Sequence, residues 1–187
     1  MDFQELLKNR RSIREFQEKE VPLSLIKEII QDSFLAPTAS NLQPCRFVII
    51  RDREYMRKLS DESKRTLLSE MAEDPSSVIR NYEAALRNKD FNVFYNAPAL
   101  ILVTGPDDLY SLDIDAALTV SYLMFSATSR GLGTCWIGLG AHIRDRRALL
   151  EMGIPTGYRI IAPVIIGYPI GIPPASERHA PEIVKII

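Results

Sequence analysis

Apolar positions along the chain alternate between a helical and a strand-like period, and each change predicts an element. Phe3, Leu6 and Leu7 recur at helical spacing, so 2–9 reads as a short helix with Asp2 at its positive end. Pro22 suits the first turn of a second helix, whose wide apolar face carries Leu25, Ile26, Ile29, Ile30 and Phe34. That helix stops at Ala36-Pro37, because the residue before a proline avoids helical angles. Phe47-Val48-Ile49-Ile50 has no polar position and predicts a buried strand. Helical spacing returns over 53–71 with Tyr55, Met56, Leu59, Leu67 and Leu68. Asp74-Pro75-Ser76 then breaks the pattern, and Ser76 suits the N-cap of a helix reaching about Arg87.

The second half repeats the alternation with stronger apolar runs. Ala99 to Thr104 is almost continuously apolar and predicts a central strand, ended by Gly105-Pro106. Asp113 opens a long helix with Ala116, Ala117, Val120, Leu123, Met124 and Ala127 on one face. Much of its remaining surface is apolar too, which predicts a place in the core or in a subunit interface. Gly131 suits the left-handed C-cap of this helix. A short basic helix over 144–152 ends at Gly153, and 160–166 predicts another buried strand. Pro163 within that strand predicts an edge position or a bulge. The proline-rich tail closes on Ile183-Val184-Lys185-Ile186-Ile187, an apolar end suited to adding to a sheet edge, in its own chain or another's. The sum is an α+β or α/β sandwich around a small sheet, a single domain over 1–187.

Composition narrows the function classes. The 187 residues carry a net charge of −1, and the basic residues are scattered, which speaks against a nucleic-acid binder held by bulk electrostatics. Two cysteines, Cys45 and Cys135, form no CxxC pair, and the two histidines have no metal-ligand spacing. The start is acidic without an apolar core behind it, and no apolar run has the roughly 20 residues of a membrane span, so the expectation is a cytoplasmic protein.

Three stretches carry candidate chemistry. Arg10-Arg11-Ser12-Ile13-Arg14 sets three permanent charges and a hydroxyl just past the first helix, a set that matches phosphate oxygens. The alternative is a solvated basic turn with Glu15, Glu18 and Glu20 as its counter-charges. Thr38, Ala39, Ser40, Asn41 and Gln43 form a polar loop between Pro37 and Pro44, read either as a helix-to-strand connection or as a binding loop. Around Ile137, Gly138, Leu139 and Gly140, the glycines let backbone approach a ligand, although neither a phosphate-binding Gly-Lys-Ser/Thr nor a dinucleotide fingerprint is present. Nothing singles out a catalytic triad or a carboxylate pair. A phosphate site, an amide-rich loop, exposed backbone and the aromatics Phe91, Phe94 and Tyr95 together suit a cofactor with a phosphate at one end and a flat ring at the other.

In this combination the chain resembles the nitroreductase family of FMN-dependent oxidoreductases. The resemblance rests on Arg10-Arg11-Ser12-Ile13-Arg14-x-Phe16, Ala36-Pro37-Thr38-Ala39-x-Asn41-x-Gln43-Pro44, Ala97-Pro98, Gly131-Leu132-Gly133-Thr134-Cys135-Trp136-Ile137-Gly138 and Ile166-Gly167-Tyr168-Pro169, in that order over nearly the whole length. It implies an α+β sandwich with a mostly antiparallel central sheet flanked by helices, in an intertwined homodimer with FMN at the subunit interface. By the same resemblance Arg10, Arg11, Ser12 and Arg178 hold the flavin phosphate, and Arg14 reaches the pyrimidine edge. Pro37, Thr38, Ala39, Asn41 and Gln43 come from the partner, while Ile137, Gly138 and Leu139 lie beside the ring and its N5. The extension from about 168 to 187 would pack on the partner subunit.

The implied activity is hydride transfer from NADH or NADPH through flavin N5 to nitroaromatic, quinone or similar acceptors by a ping-pong mechanism. Sister branches imply reductive dehalogenation or oxygen-dependent flavin destruction, and a non-catalytic FMN-binding module is a further alternative. Two positions depart from the pattern: Cys45 stands where a tryptophan often follows Gln-Pro, and Ser176-Glu177 replace a basic residue before Arg178.

Overall fold

A computed structural model describes residues 1–74 and 76–187. Pro75, the centre of the expected break at 74–76, lies outside the described residues. The sheet has four strands, β1 (Arg46–Ile50), β2 (Ala99–Pro106), β3 (Gly133–Trp136) and β4 (Tyr158–Gly167), in the order β1-β2-β4-β3. All three pairings are antiparallel. Side chains of β2 alternate between two buried faces, which is why its sequence runs apolar without a break. Ile101 and Val103 face helices α2 (Leu23–Ser33) and α5 (Leu112–Ser129), together with Ile26, Ile29, Ala116, Val120 and Leu123. Leu100 and Leu102 face α3 (Arg53–Glu73) and the loops around Phe94 and Ile143. The architecture is therefore α+β, helices on both sides of an antiparallel sheet.

Several expectations are sharpened or corrected. α1 (Phe3–Asn9) begins with Asp2 in a reciprocal capping box with Glu5. Gly131 adopts φ +75 after α5, as a left-handed cap requires. The strand Phe47–Ile50 is an edge strand, so its first three residues are only half-buried. Ser77, not Ser76, caps the next segment, which is a 3-10 turn (Val78–Tyr82) leading into α4 (Glu83–Arg87). α6 is shorter than expected, Arg146–Glu151, because Asp145 caps it from two residues inside the basic run.

Pro163 lies in the central strand β4, opposite Leu102. Two local features make this possible. The ladder with β3 ends at Val164, so the missing N–H falls where no carbonyl of β3 awaits it, while the Pro163 carbonyl still accepts from Ile137 N at 2.8 Å. The register with β2 also slips next to it, leaving Ile161 as the extra residue of a bulge.

The outer face of α5 carries Ile114, Leu118 and Tyr122 in the open, beside exposed Phe3 and Leu7 of α1. From residue 170 the tail has no helix or strand, and Ile183, Val184, Ile186 and Ile187 pair with no strand of their own chain. Among the described residues no helix is long and apolar enough to cross a membrane.

Candidate functional site

The site begins where α1 stops. Arg10 is the C-cap of that helix, with extended angles and its N–H on Leu6 O at 3.0 Å. The chain then runs along the outer edge of β3, where Ile13 N donates to Thr134 O at 2.9 Å and Ser12 bridges Thr134 in parallel. In an extended segment successive side chains point to opposite sides. Ile13 turns inward and is 4% exposed, so Ser12 and Arg14 turn outward. Gly133 makes that inward turn possible, since a Cβ there would lie 2.6–2.8 Å from three atoms of Ile13. The tail closes the other side: Gln17 N donates to Tyr168 O, and Ile170 N to Glu15 O.

Between segment and tail lies a cleft of about 530 Å³, lined by Lys8, Arg10, Arg11, Ser12, Arg14 and Arg178 among others. A second hollow of about 380 Å³ adjoins it through Ser12, Arg14 and Pro173. Among the described residues none of the five cations in the cleft has a carboxylate partner within ion-pair distance. Two of the three expected counter-charges are committed elsewhere: Glu18 pairs with Arg53 and Glu20 with Arg51, both at 2.6 Å, while Glu15 lines the adjoining hollow next to Arg14 without an ion pair to it. Arg11 donates only to the Arg10 carbonyl, and its Nε is buried without a partner. The Thr134 hydroxyl is buried and unpaired too, but Thr134 does not line the cleft. A buried donor without a partner, set among positive charges that no carboxylate pairs, suits an anion, since leaving such a donor unsatisfied costs free energy. Beneath the segment lies the buried Cys135 thiol, whose pKa burial pushes up while Arg14, Ser12 and Arg10 pull it down.

The other predicted residues sit in separate places. Pro37 is exposed, and the loop behind it is tied to α5: Ala39 N donates to Asp115 Oδ1 at 2.9 Å, and Ser111 Oγ holds Oδ2. Thr38 Oγ1 accepts from Gln43 N, and Gln43 Nε2 donates to Asn41 Oδ1. Among the described residues no hydrogen bond or ion pair joins this loop to the basic cleft. Ile137 is a core residue. Gly138 is exposed, and the backbone N–H groups of Gly138 and Leu139 have no acceptor in the chain. The Leu139 carbonyl accepts from Ser63 Oγ.

Non-glycine residues with left-handed backbone are Ser40, Asn41, Gln43, Tyr95 and Asn96. Each costs about 1–3 kcal/mol and survives only where its surroundings over-determine it. All five fall in two loops, the polar loop and the aromatic segment before β2. In the latter, Phe94 is fully buried against Gly140, while Tyr95 stays half-exposed with its ring 5.6 Å from the Arg14 guanidinium.

Sequence reasoning missed what holds these loops. Ser60, Ser63 and Lys64 form a polar patch on the buried face of α3. Ser60 Oγ accepts from Val93 N, and Lys64 Nζ donates to Phe91 O at 2.8 Å. Their spacing of three and four among Met56, Leu59 and Leu67 was the available signal. Lys8 was missed as well, because it belongs to the helix before the basic stretch.

Comparison with known proteins follows the same lines. Residues 7–168 match the model of the Nitroreductase family. A protein of Archaeoglobus fulgidus, provisionally named NADH dehydrogenase/NAD(P)H nitroreductase, is 29% identical over 165 residues, 88% of this chain and 83% of its own. Among solved structures, a nitroreductase with bound FMN from Bacteroides fragilis superposes with a TM-score of 0.82 at 20% identity, covering 100% and 99% of the two chains. An oxidized iodotyrosine deiodinase bound to FMN and 3-iodo-L-tyrosine superposes with a TM-score of 0.77 at 19% identity, covering 98% and 99%.

Proposed function

The chain belongs to the nitroreductase family, and on that premise we propose that it is an FMN-dependent oxidoreductase using NADH or NADPH. One observation carries the reading: Arg10, Arg11, Arg14 and Arg178 converge with Ser12 on one cleft, and no carboxylate among the described residues forms an ion pair with them. A phosphate ester fits that donor set, and the orphaned Arg11 Nε marks a donor that the chain's own groups leave unpaired. The volume of about 530 Å³ lies within the range of small-molecule sites, roughly 300–1,000 Å³. The same FMN ligand in the bacterial nitroreductase and in the deiodinase agrees with this assignment.

In this reading Arg10, Arg11, Ser12 and Arg178 hold the phosphate. Charge-assisted hydrogen bonds contribute about 1.5–3 kcal/mol each. Arg14 keeps a permanent positive charge beside the pyrimidine end, where it favours electron uptake. The free N–H groups of Gly138 and Leu139 lie toward the ring. The chemistry that FMN supplies there is passage of a hydride from NADH or NADPH through N5 to a nitroaromatic, quinone or similar acceptor, in ping-pong order. No side-chain acid or base is needed, which agrees with a cleft whose charged lining is cationic throughout.

The polar loop Pro37–Gln43 completes the site of a second copy, so the working unit is a homodimer. Support comes from its separation from the cleft within one chain, from the exposed apolar faces of α1 and α5, and from the apolar tail beyond residue 168. The fold accommodates both a nitroreductase and a deiodinase, so the acceptor is decided by the loops over the ring. Anaerobic mixing of the FMN-loaded protein with NADH and with NADPH tests the reading. Bleaching of the flavin by at least one, and recolouring by a nitroaromatic or quinone, is the expected outcome. A yellow protein bleached by neither would be a binding module instead.

A further inference from the structure

We propose that Tyr95 is a positioning residue for Arg14, held in a strained backbone so that its ring sits against the guanidinium. The proposal rests on the function proposed above, in which Arg14 serves the flavin ring. Tyr95 has φ +54 and Asn96 φ +52. Asparagine tolerates this region, whereas a bulky tyrosine is a true outlier there.

The surroundings enforce it. Asn92, 5% exposed, accepts from Phe94 N through Oδ1 and donates from Nδ2 to Asn96 Oδ1, both at 2.9 Å. Tyr95 N closes the turn on Asn92 O at 2.9 Å. Val93 and Phe94 are fully buried, and Ser60 and Lys64 of α3 pin the strand of chain leading in. What this clamp presents outward is the Tyr95 ring, edge-on to Phe91 at 5.8 Å and 5.6 Å from the Arg14 guanidinium carbon. Arg14 has no ion pair and no side-chain hydrogen bond among the described residues, so the ring is the contact that can hold its guanidinium. A strained residue held by a buried asparagine and aimed at a solvent-side arginine is placed for that arginine, because packing alone would be served by any residue with an ordinary backbone.

Substitution separates the two roles. Tyr95→Gly and Tyr95→Asn relieve the backbone while removing the ring, and Tyr95→Phe keeps the ring. In the FMN-free protein, the Arg14 Nε–H resonance, assigned by its loss in Arg14→Lys, should be displaced by the ring current. It should stay displaced in Tyr95→Phe and return toward the free value in Tyr95→Gly and Tyr95→Asn. Melting temperature should hold or rise in the last two. Loaded with FMN, these two should keep the cofactor yet be reduced by NAD(P)H about three- to tenfold more slowly, a loss of cation–π size. An unmoved Arg14 resonance, wild-type reduction rates, or a clear fall of melting temperature in both variants would overturn the proposal. A wild-type protein that takes up no FMN would instead sink the functional reading, and the resonance would still decide the role of Tyr95.

Discussion

A methyl group placed on Gly133 would have no room. Its carbon would lie 2.6, 2.7 and 2.8 Å from Cγ1, Cβ and Cγ2 of Ile13, against an optimum of about 3.5–4.0 Å. The shortfall is about 1 Å. Rotating the Ile13 side chain cannot supply it, since Cβ is fixed to the main chain. Relief requires residues 12–14 to draw away from β3, lengthening the 2.9 Å bond from Ile13 N to Thr134 O. Over-packing costs about 1–3 kcal/mol and the weakened bond about 1 more, so Gly133→Ala should lose about 2–4 kcal/mol. The same movement carries Ser12 and Arg14 off their places. Losing one charge-assisted phosphate contact, about 1.5–3 kcal/mol, weakens FMN binding about 10- to 100-fold. Gly131→Ala is the control: its φ of +75 costs about 1–2 kcal/mol, but nothing lies within 4 Å, and FMN affinity should not change. Urea unfolding of the cofactor-free proteins and flavin-fluorescence titration read both quantities. Wild-type values for Gly133→Ala in both would refute the claim that Ile13 anchors the basic segment.

Lys64→Met should cost about 1–3 kcal/mol by leaving the Phe91 carbonyl without its donor. Hydrogen exchange should quicken first in residues 88–94. Asp115→Ala removes the acceptor of Ala39 N and Ser111 Oγ, and limited proteolysis within 38–43 should accelerate. Burial raises the pKa of both Cys45 and Cys135 above the ordinary 9.0. The folded state then retains protons that the unfolded state releases, so stability is intact below about pH 9.0 and falls as pH rises past it. Cys45→Ala with Cys135→Ala should flatten that alkaline decline, as seen in urea midpoints across pH. An unchanged slope would place the decline elsewhere.

The elements most legible in the sequence were those whose pattern is local. Ala99 to Thr104 read as a central strand because both faces of β2 are covered, and Gly131 read as a helix cap because only its own φ was at stake. Pro163 read as an edge position or a bulge; the bulge is present at Ile161, but the strand is central, which is tolerated because β3 leaves the sheet at Val164. Phe94 groups in the sequence with Phe91 and Tyr95 as an aromatic suited to a flat ring, yet it lies in the core, because the turn fixed by Asn92 points it at Gly140. The charges of the basic segment were legible. Their isolation was not: only the fold sends Glu18 and Glu20 to Arg53 and Arg51.

Calorimetric titration of the cofactor-free protein with FMN and with riboflavin, which lacks the phosphate, tests the basic cleft most directly. FMN should bind at least about 100-fold more tightly, the size of one or two charge-assisted contacts, with an advantage that shrinks as salt is raised. Arg10→Ala should remove most of that advantage. Equal affinity for the two flavins would contradict the account.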